Sequence, residues 1–316
     1  MNIRLLAIGE CMVELSGSLS FGTPANLNFG GDILNTALYF ARLGGTVSFF
    51  TALGDDPLSE QMTAIWKNEN IIVDDIVYLP HRMPGLYAIK TDENGERSFY
   101  YWRDEAPIKQ LFQHVSKEKL ATLSKDYNAI YLSGISLSRW DQFQLEILEN
   151  WLAEFRQSND HNQVIFDLNY RPKCWKTPQA AQEAIEKILP YITTVITTYD
   201  DEVLLHNDSD YQQTIKRYQD VGVTNIIIKR GSESTILVNN KTLEEIPHVI
   251  TIKKPIDTTA AGDSFNAALL ASLNTGQSFK DACQFAQQFA AEVIQHKGAI
   301  IPKHDTQKYS DSLLEK

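Results

Sequence analysis

The sequence has few cysteines, and their distribution excludes several kinds of site. Of its 316 residues only three are cysteine, Cys11, Cys174 and Cys283, and no two lie close enough along the chain to form a zinc-binding pair. An odd, scattered set also provides no disulfide framework of the kind that stabilises small secreted domains. The scarcity of cysteine therefore favours a reducing compartment, and we expect a cytoplasmic location.

Long apolar runs and an excess of basic charge are also lacking. The apolar stretch at residues 5–8 is soon interrupted by Glu10 and Glu14, and no segment approaches the roughly 18 apolar residues of a membrane-spanning helix. The 29 basic and 40 acidic residues give a net charge of −11, which disfavours nucleic acid and anionic membranes as general partners. An anionic substrate would need a local cluster of basic side chains.

Two common nucleotide-binding motifs are absent as well. The first apolar segment ends in Gly-Glu-Cys-Met at residues 9–12 rather than in G-x-G-x-x-G, and no G-x-x-x-x-G-K-[ST] occurs anywhere in the chain. If this protein binds ATP, it does so without the dinucleotide fingerprint and without a P-loop.

What the sequence does contain is an alternation of short apolar strands and long amphipathic helices. Hydrophobic residues make up 43% of the chain and charged residues 22%, which is ample for a sizeable core. The strands are predicted at residues 3–8, 47–52, 129–133, 163–168, 194–197 and 225–229. The helices are predicted at residues 35–43, 57–68, 139–157, 178–189, 211–221, 262–274 and 278–296. This order predicts an α/β fold, with a largely parallel sheet covered on both faces, in a single domain spanning residues 1–316.

A region of different character runs over residues 73–107. Residues 86–90, the turn at 92–96 and residues 97–102 predict an antiparallel hairpin rich in aromatic side chains. We expect this flap to form a small lid together with residues 13–30. An exposed aromatic flap also favours pairing with a second copy of the chain, so a homo-oligomer is one expectation.

The octapeptide Asp-Thr-Thr-Ala-Ala-Gly-Asp-Ser at residues 257–264 is the strongest functional signal in the chain. Residues 250–252 before it predict a short strand, and the apolar spacing after Gly262 predicts a helix. The turn would therefore expose the first backbone amides of a helix, which attract phosphate oxygens. Asp263 would repel a bound phosphate unless it faces the attacking hydroxyl and accepts its proton. The alternative is that the polar residues of the octapeptide are ordinary turn and capping residues.

Polar or glycine-containing segments follow three of the predicted strands. They are Asn-Tyr-Arg-Pro at residues 169–172, Arg-Gly-Ser-Glu-Ser at residues 230–234, and the octapeptide after residues 250–252. Because open parallel sheets bind ligands beyond the carboxyl ends of their strands, we expect these segments to meet at one site.

Other motifs give the chain a family resemblance. Residues 30–37, 41–44 and 52–56 resemble the N-terminal signature of the ribokinase-like (PfkB-type) carbohydrate kinases, and the octapeptide resembles their C-terminal signature. The resemblance extends from residue 8 to about residue 302. It implies a ribokinase-like fold, a mostly parallel sheet plus a small antiparallel flap, and phosphoryl transfer from ATP with Mg²⁺.

Within the family, the chain most resembles the kinases of the sugar acid 2-keto-3-deoxygluconate. The segments that carry this resemblance are residues 30–32, 84–87, 95–99, 101–103, 131–135, 169–172 and 298–302. Ala260 supports it, because the common family motif has Gly at this position whereas the subgroup has Ala. The resemblance implies phosphorylation of the sugar 6-hydroxyl. The alternatives are a kinase of a neutral hexose such as fructose, or a non-catalytic sugar-acid sensor on the same fold.

The resemblance also implies roles for individual residues. Asp263 would be the catalytic base, and the anion hole would consist of the amides of Ala260, Ala261, Gly262 and Asp263. The implied sugar contacts, besides Asp263, are Gly31, Asp32, Asn35, Tyr87, Tyr101, Arg103 and Arg171. The implied ATP contacts, besides the anion hole, are Asn169, Arg171, Lys229, Gly231, Ser232 and Ser234.

Several of these side chains also have simpler explanations. A guanidinium binds a carboxylate through two parallel hydrogen bonds, so a sugar acid accounts for Arg103 well. Arg103 could instead pair with Asp104 or Glu105 on a solvated loop, and the two tyrosines could cover the apolar face of the flap. Lys229 could be a surface charge at the end of its strand.

The metal ligands are less well defined. Family members often bind a monovalent cation such as K⁺ beside the anion hole, and Asp257 and Thr259 match that motif. Mg²⁺ is expected to bridge the phosphates largely through waters. The family's Asn-x-x-Glu element lacks its Asn here, which leaves two registers open: Thr198 with Asp201, or Tyr199 with Glu202.

Overall fold

The structure is a computed structural model that describes residues 2–17, 19–91, 97–250 and 252–315. The predicted turn at residues 92–96, including the first part of the motif at 95–99, lies outside the described residues, as does Thr251. No helix in the described ranges combines the length and the apolarity that crossing a bilayer requires.

Strands and helices alternate along the chain much as the sequence predicts. The strands are β1 (Arg4–Ile8), β2 (Met12–Gly17), β3 (Ala25–Gly30), β4 (Thr46–Phe50), β5 (Ala52–Gly54), β6 (Val77–Leu79), β7 (Leu86–Thr91), β8 (Arg97–Trp102), β9 (Ala129–Ser133), β10 (Gln163–Asp167), β11 (Thr194–Thr198), β12 (Asn225–Arg230), β13 (Glu233–Asn239) and β14 (Thr242–Ile246). The helices are α1 (Asp32–Arg42), α2 (Pro57–Asn68), α3 (Lys117–Asp126), α4 (Gly134–Leu137), α5 (Gln142–Ser158), α6 (Pro178–Ile188), α7 (Tyr199–His206), α8 (Tyr211–Asp220), α9 (Ala261–Asn274), α10 (Phe279–Val293) and α11 (Lys303–Leu314).

The main sheet has the strand order β14-β13-β12-β11-β10-β9-β1-β4. The strands from β12 to β4 pair in parallel, and β13 and β14 extend the sheet as an antiparallel hairpin. The largely parallel sheet predicted from the sequence is therefore confirmed. The carboxyl ends of the parallel strands all lie at one edge, so the residues that follow them come together.

Both faces of the main sheet are covered, and strand β1 shows why. Leu5 and Ala7 pack into a core on one face with residues of α1, α9 and α10, whereas Leu6 and Ile8 pack into a core on the other face with residues of α5 and α6. Because successive side chains of a strand point to opposite faces, a strand covered on both sides reads as a continuous apolar run.

A second sheet, with the strand order β3-β2-β7-β8, stands apart from the main one. Its pairs β2–β3 and β7–β8 are antiparallel and are joined through a parallel β2–β7 pair. Strand β3 is mostly exposed, and so are the aromatic side chains of Tyr100 and Trp102 in β8. We call this small sheet the flap.

Several predicted elements differ from the structure. The strand predicted at residues 47–52 is divided between β4 and β5, which lie in different sheets, and the helix predicted at residues 35–43 begins at Asp32. Ile250 and Ile252 belong to no strand, because β14 is the last strand of the sheet and these two apolar side chains line a cavity instead. The octapeptide therefore follows a loop, although it still leads into a helix. The helix predicted at residues 139–157 begins at Gln142, where the Asp141 side chain caps it.

Candidate active site

The octapeptide forms the N-terminal end of α9. Ala260 occupies the cap position with φ 61° and ψ 15°, a left-handed conformation that costs a residue with a Cβ about 1–2 kcal/mol relative to glycine. The amide of Ala261 donates to the carbonyl of Thr258 at 3.2 Å. The amides of Ala260, Gly262 and Asp263 donate to no backbone carbonyl in the described ranges. Three of the four predicted anion-hole amides are therefore available to a phosphate.

Asp263 lies in the first turn of α9, where α1 approaches it. The side-chain amide of Asn35 donates to its Oδ2 at 2.8 Å, and the Thr36 hydroxyl donates to its backbone carbonyl at 3.3 Å. The pKa of Asp263 is raised to about 8, mainly by burial and secondly by the nearby Asp32 carboxylate, against the opposing effect of the Asn35 hydrogen bond. In its ionised form, a carboxyl group with this pKa is a stronger proton acceptor than an ordinary carboxylate.

Asp32 begins α1 and organises the neighbouring strand ends. Its Oδ2 accepts hydrogen bonds from the Ser133 hydroxyl at 2.6 Å and from the Asn169 amide at 3.0 Å. Gly31 before it passes so close to the chain that a Cβ there would lie 2.2 Å from the Glu10 carbonyl oxygen. The Asn169 side chain, which the sequence predicts as an ATP contact, therefore lies next to Asp32, on the side of the site that also holds Asp263.

The flap brings Arg103 and two tyrosines to this side. Arg103 is buried and forms an ion pair with the buried carboxylate of Glu10, rather than with Asp104 or Glu105 as the alternative had it. The Arg103 guanidinium lies 5.7 Å from the centroid of the Tyr101 ring. Burial raises the pKa of Glu10, while the charge of Arg103 opposes that rise.

Tyr87 is largely buried and Tyr101 is half exposed, with their ring centroids 6.0 Å apart. The Tyr87 hydroxyl donates to the Glu14 carboxylate. Glu14 therefore fixes the Tyr87 hydroxyl, as Glu10 fixes the Arg103 guanidinium.

Arg171 and Asp201 meet at the ends of β10 and β11. Their side chains form an ion pair at 3.1 Å, with Arg171 half exposed and Asp201 mostly buried. Glu202, the other carboxylate left open by the sequence, is fully buried and binds Arg217 and Tyr218. The register of Thr198 with Asp201 is therefore the one that points a carboxylate towards the site.

A cavity of about 420 Å³ opens beside the N-terminus of α9. The predicted ATP-binding residues that line it are Lys229, Gly231, Ser232, Ala261 and Gly262. Apolar side chains line it too, among them Ile250, Ile252, Phe265, Ala290, Ala291 and Ile294. Ser234 is not part of this lining, because its hydroxyl binds Arg230 and Glu245. A planar base would fit among the apolar side chains, with its phosphates directed towards α9.

The predicted cation ligands lie in the loop before α9. Asp257 Oδ1 accepts hydrogen bonds from the amide and the hydroxyl of Thr259, at 3.0 and 2.7 Å, and Oδ2 accepts from the Gly298 amide at 2.8 Å. These hydrogen bonds to the Asp257 carboxylate hold the loop in place. A cation bound here would be coordinated by the same Asp257 oxygens that accept them.

Sequence reasoning missed a buried polar group behind α9. Asn266 binds Lys229, Asp167 and Tyr131 through its side chain, and it is fully buried. Asp167 and Glu10 could have been found, since both stand at or directly after the end of a strand. Tyr131 lies inside a buried strand and carries no such signal.

Comparison with known proteins gives concordant matches along nearly the whole chain. The family described as pfkB family carbohydrate kinase matches residues 2–306. The 2-dehydro-3-deoxygluconokinase of Escherichia coli (strain K12) is 38% identical over 309 residues, which cover 96% of this chain and 98% of that protein. The protein of the same name from Dickeya dadantii (strain 3937) is 38% identical over 305 residues, which cover 95% and 97%.

A solved structure is similar as well. A putative ribokinase II from E. coli, in complex with ATP and Mg²⁺, has a TM-score of 0.82 with this chain, at 20% identity and with 99% of each chain covered. At this identity the likeness concerns the fold.

Proposed function

The chain belongs to the pfkB family of carbohydrate kinases, and we propose that it transfers the γ-phosphoryl group of ATP to the 6-hydroxyl of 2-keto-3-deoxygluconate. One observation carries this proposal. Asp263, with its pKa raised to about 8, lies in the first turn of α9, where it accepts a hydrogen bond from Asn35 and directly follows Ala261 and Gly262, which line the apolar cavity. An acceptor hydroxyl and a phosphate could meet there. The 38% identity to named 2-dehydro-3-deoxygluconokinases supports the choice of sugar.

Asp263 acts as the general base in this proposal. It accepts the proton of the 6-hydroxyl while that oxygen forms a bond to the γ-phosphorus and the bond to the β–γ bridging oxygen breaks, releasing ADP. The free amides at the start of α9 stabilise the charge that spreads over the transferred group. Asn35 keeps the Asp263 carboxylate in place by donating to Oδ2.

Arg103 binds the carboxylate of the sugar acid. Its guanidinium is buried beside the site, and a carboxylate is the group that two parallel N–H donors match best. The Glu10 carboxylate fixes the guanidinium before the sugar arrives. Tyr87 and Tyr101 form the wall of the flap next to it, and Gly31, Asp32 and Asn35 supply groups for the sugar hydroxyls.

Mg²⁺ fits a site with few protein ligands. Mg²⁺ usually keeps several waters and binds one or two carboxylates together with the phosphates of its substrate. The Asp201 carboxylate is the protein group we assign to it, since Glu202 is fully buried in its own ion pair. Mg²⁺ held there would neutralise part of the phosphate charge.

Three further points belong to the proposal. The flap closes over the sugar and excludes water that would compete as phosphoryl acceptor. K⁺ binds in the loop of Asp257 and Thr259, which activity in K⁺ and Na⁺ buffers of equal ionic strength would test.

The reaction takes place in the cytoplasm, which suits the free thiols of Cys11, Cys174 and Cys283.

The proposal is tested with purified protein, ATP, Mg²⁺ and 2-keto-3-deoxygluconate. We expect ADP release that depends on the sugar, and phosphorus and carbon NMR should locate the new phosphate on C6. A product phosphorylated elsewhere would contradict the assigned hydroxyl. Binding of the sugar without ADP release would favour a sensor instead.

A further inference from the structure

The ammonium group of Lys229 lies where the cavity meets the N-terminus of α9. Lys229 lines the cavity from the end of β12, and a Cβ built on Gly262 would lie 3.4 Å from its Nζ. The Phe265 ring centroid is 5.8 Å from the same atom. The ammonium therefore faces the first turn of α9, where the free amides are.

The charge of Lys229 is not compensated by an ion pair within the described ranges of the chain. Arg230, the next residue and also part of the cavity lining, pairs with Glu233 at 3.3 Å and with Glu245 at 2.7 Å. The two neighbouring basic residues thus have different roles. Arg230 pairs with carboxylates of the antiparallel hairpin of β13 and β14, whereas the Lys229 ammonium is available to a ligand.

Asn266 fixes the position of the ammonium group. Lys229 Nζ donates to Asn266 Oδ1 at 3.1 Å, and Asn266 Nδ2 donates to Asp167 Oδ2 at 2.8 Å and to the Tyr131 hydroxyl at 2.9 Å. Because Asp167 and Tyr131 accept both amide protons, the amide oxygen of Asn266 must point to Lys229. One of the three ammonium protons is thereby engaged, and two remain for phosphate oxygens.

Asp167 gives this arrangement its charge balance. It is buried at the end of β10, and it approaches Lys229 through Asn266 rather than by a direct ion pair. Asp167 thus places a carboxylate near the ammonium group without occupying its protons. A direct ion pair would have competed with a phosphate for the same donors.

We infer that Asn266 and Asp167 are positioning residues that hold the Lys229 ammonium against the γ-phosphate of the bound nucleotide. The inference rests on the proposed function, because it requires ATP in the cavity with its terminal phosphate at α9. There the ammonium would stabilise the charge of the transferred group, together with the α9 amides.

Nucleotide binding without sugar tests this directly. Calorimetry would compare ADP with an ATP analogue whose β–γ bridge is an imido group. For Lys229→Met we expect about 10- to 100-fold weaker binding of the analogue, the loss of one charge-assisted hydrogen bond, with less than about threefold change for ADP. Asn266→Ala should act in the same direction but less strongly. Lys280→Met is the matched control, since Lys280 is exposed and pairs with Glu244, and it should change neither affinity.

The affinity for the ATP analogue divided by that for ADP shows whether Asn266 positions Lys229 or only stabilises the fold. If Asn266→Ala lowers the melting temperature but leaves the ratio unchanged, the positioning role is wrong. If Lys229→Met weakens ADP and the analogue equally, the contact with the γ-phosphate is wrong. Should Asn266→Ala fail to fold, Asp167→Asn, which keeps the shape of the side chain, must reduce the ratio. If the variants lower the ratio as expected but the wild-type protein phosphorylates no sugar acid, this inference is upheld and the proposed function is overturned.

Discussion

The nucleotide side and the sugar side of the candidate site differ in composition. The cavity for the nucleotide is lined largely by apolar side chains from α9, α10 and the loop before α9, together with Lys229, which forms no ion pair with any residue that the structure describes. The sugar side holds Asp32, Asp263 and the buried Glu10–Arg103 pair. An apolar pocket discriminates weakly between ligands of similar shape, whereas buried polar groups strongly reject a ligand that leaves them unpaired. We therefore expect the selectivity of this kinase to reside on the sugar side.

The largest effect is expected where the two sides meet. Asp263→Asn removes the base but keeps the size of the side chain, so turnover should fall about 10²- to 10⁴-fold, as measured by ADP release. Binding of ADP, by calorimetry, should stay within about threefold of wild type, because the change lies outside the cavity lining. Turnover close to that of wild type would refute the role of Asp263.

The same variant should be no less stable than wild type at neutral pH. The pKa of Asp263 is raised in the folded state, so the carboxyl contributes stability below about pH 4, and that contribution is lost as the pH rises through about 8. The melting temperature of Asp263→Asn relative to wild type should consequently increase between pH 5 and pH 9. A difference that stays constant with pH would show that the carboxyl group does not titrate in this range.

Arg103→Gln is the change that separates the two sides most clearly. Loss of a charge-assisted pair should raise KM for the sugar acid about 10- to 100-fold, while KM for ATP should change less than about threefold. Arg82→Gln serves as control, because Arg82 pairs with the exposed Glu105 outside the site. Equal increases in both KM values would mean that Arg103 maintains the fold rather than binding the sugar.

Ala291→Phe addresses the nucleotide side. Ala291 on α10 lines the cavity, and filling that space should cost about 1–3 kcal/mol of ATP binding. Steady-state kinetics should show the rise in KM for ATP with an unchanged KM for the sugar acid. An unchanged KM for ATP would show that the adenine base of ATP binds outside this cavity.

The pH dependence of catalysis should report Asp263. Asp32 and Asp167 raise its pKa, and Asn35 and Lys229 lower it, with a net value of about 8 that burial dominates. Because the ionised form is the base, kcat/KM should rise with pH up to about 8 and fall about tenfold for each unit below it. An acid limb near pH 4 would show that the carboxyl group is not perturbed in the free protein.

The fold and the main motif of the site can be predicted from local sequence patterns. The contacts between residues that are far apart in the sequence cannot. The apolar runs of β1, β9, β10, β11 and β12 and the amphipathic helices predict the ribokinase-like fold, which is confirmed. Residues 250–252 misled the prediction, since Ile250 and Ile252 are apolar to line a cavity and not to enter the sheet. Strand β3 escaped prediction because most of it is exposed and polar.

The site likewise contains residues that a local motif predicts and residues that only the tertiary fold brings together. Asp263 and its turn carry a motif that a sequence can show. The pairing of Glu10 with Arg103 joins residues 93 positions apart, and that of Asn266 with Asp167 joins residues 99 apart. Such contacts arise from the tertiary fold, and no local periodicity encodes them.

The most direct test of the account compares an acidic with a neutral acceptor. The purified chain would be assayed with ATP and Mg²⁺ against 2-keto-3-deoxygluconate, 2-keto-gluconate, fructose and ribose under one set of conditions. If the buried Arg103 recognises a carboxylate, kcat/KM for 2-keto-3-deoxygluconate should exceed that for fructose by about 10²-fold or more. Equal or greater kcat/KM for fructose or ribose would contradict the assignment of selectivity to the charged sugar side.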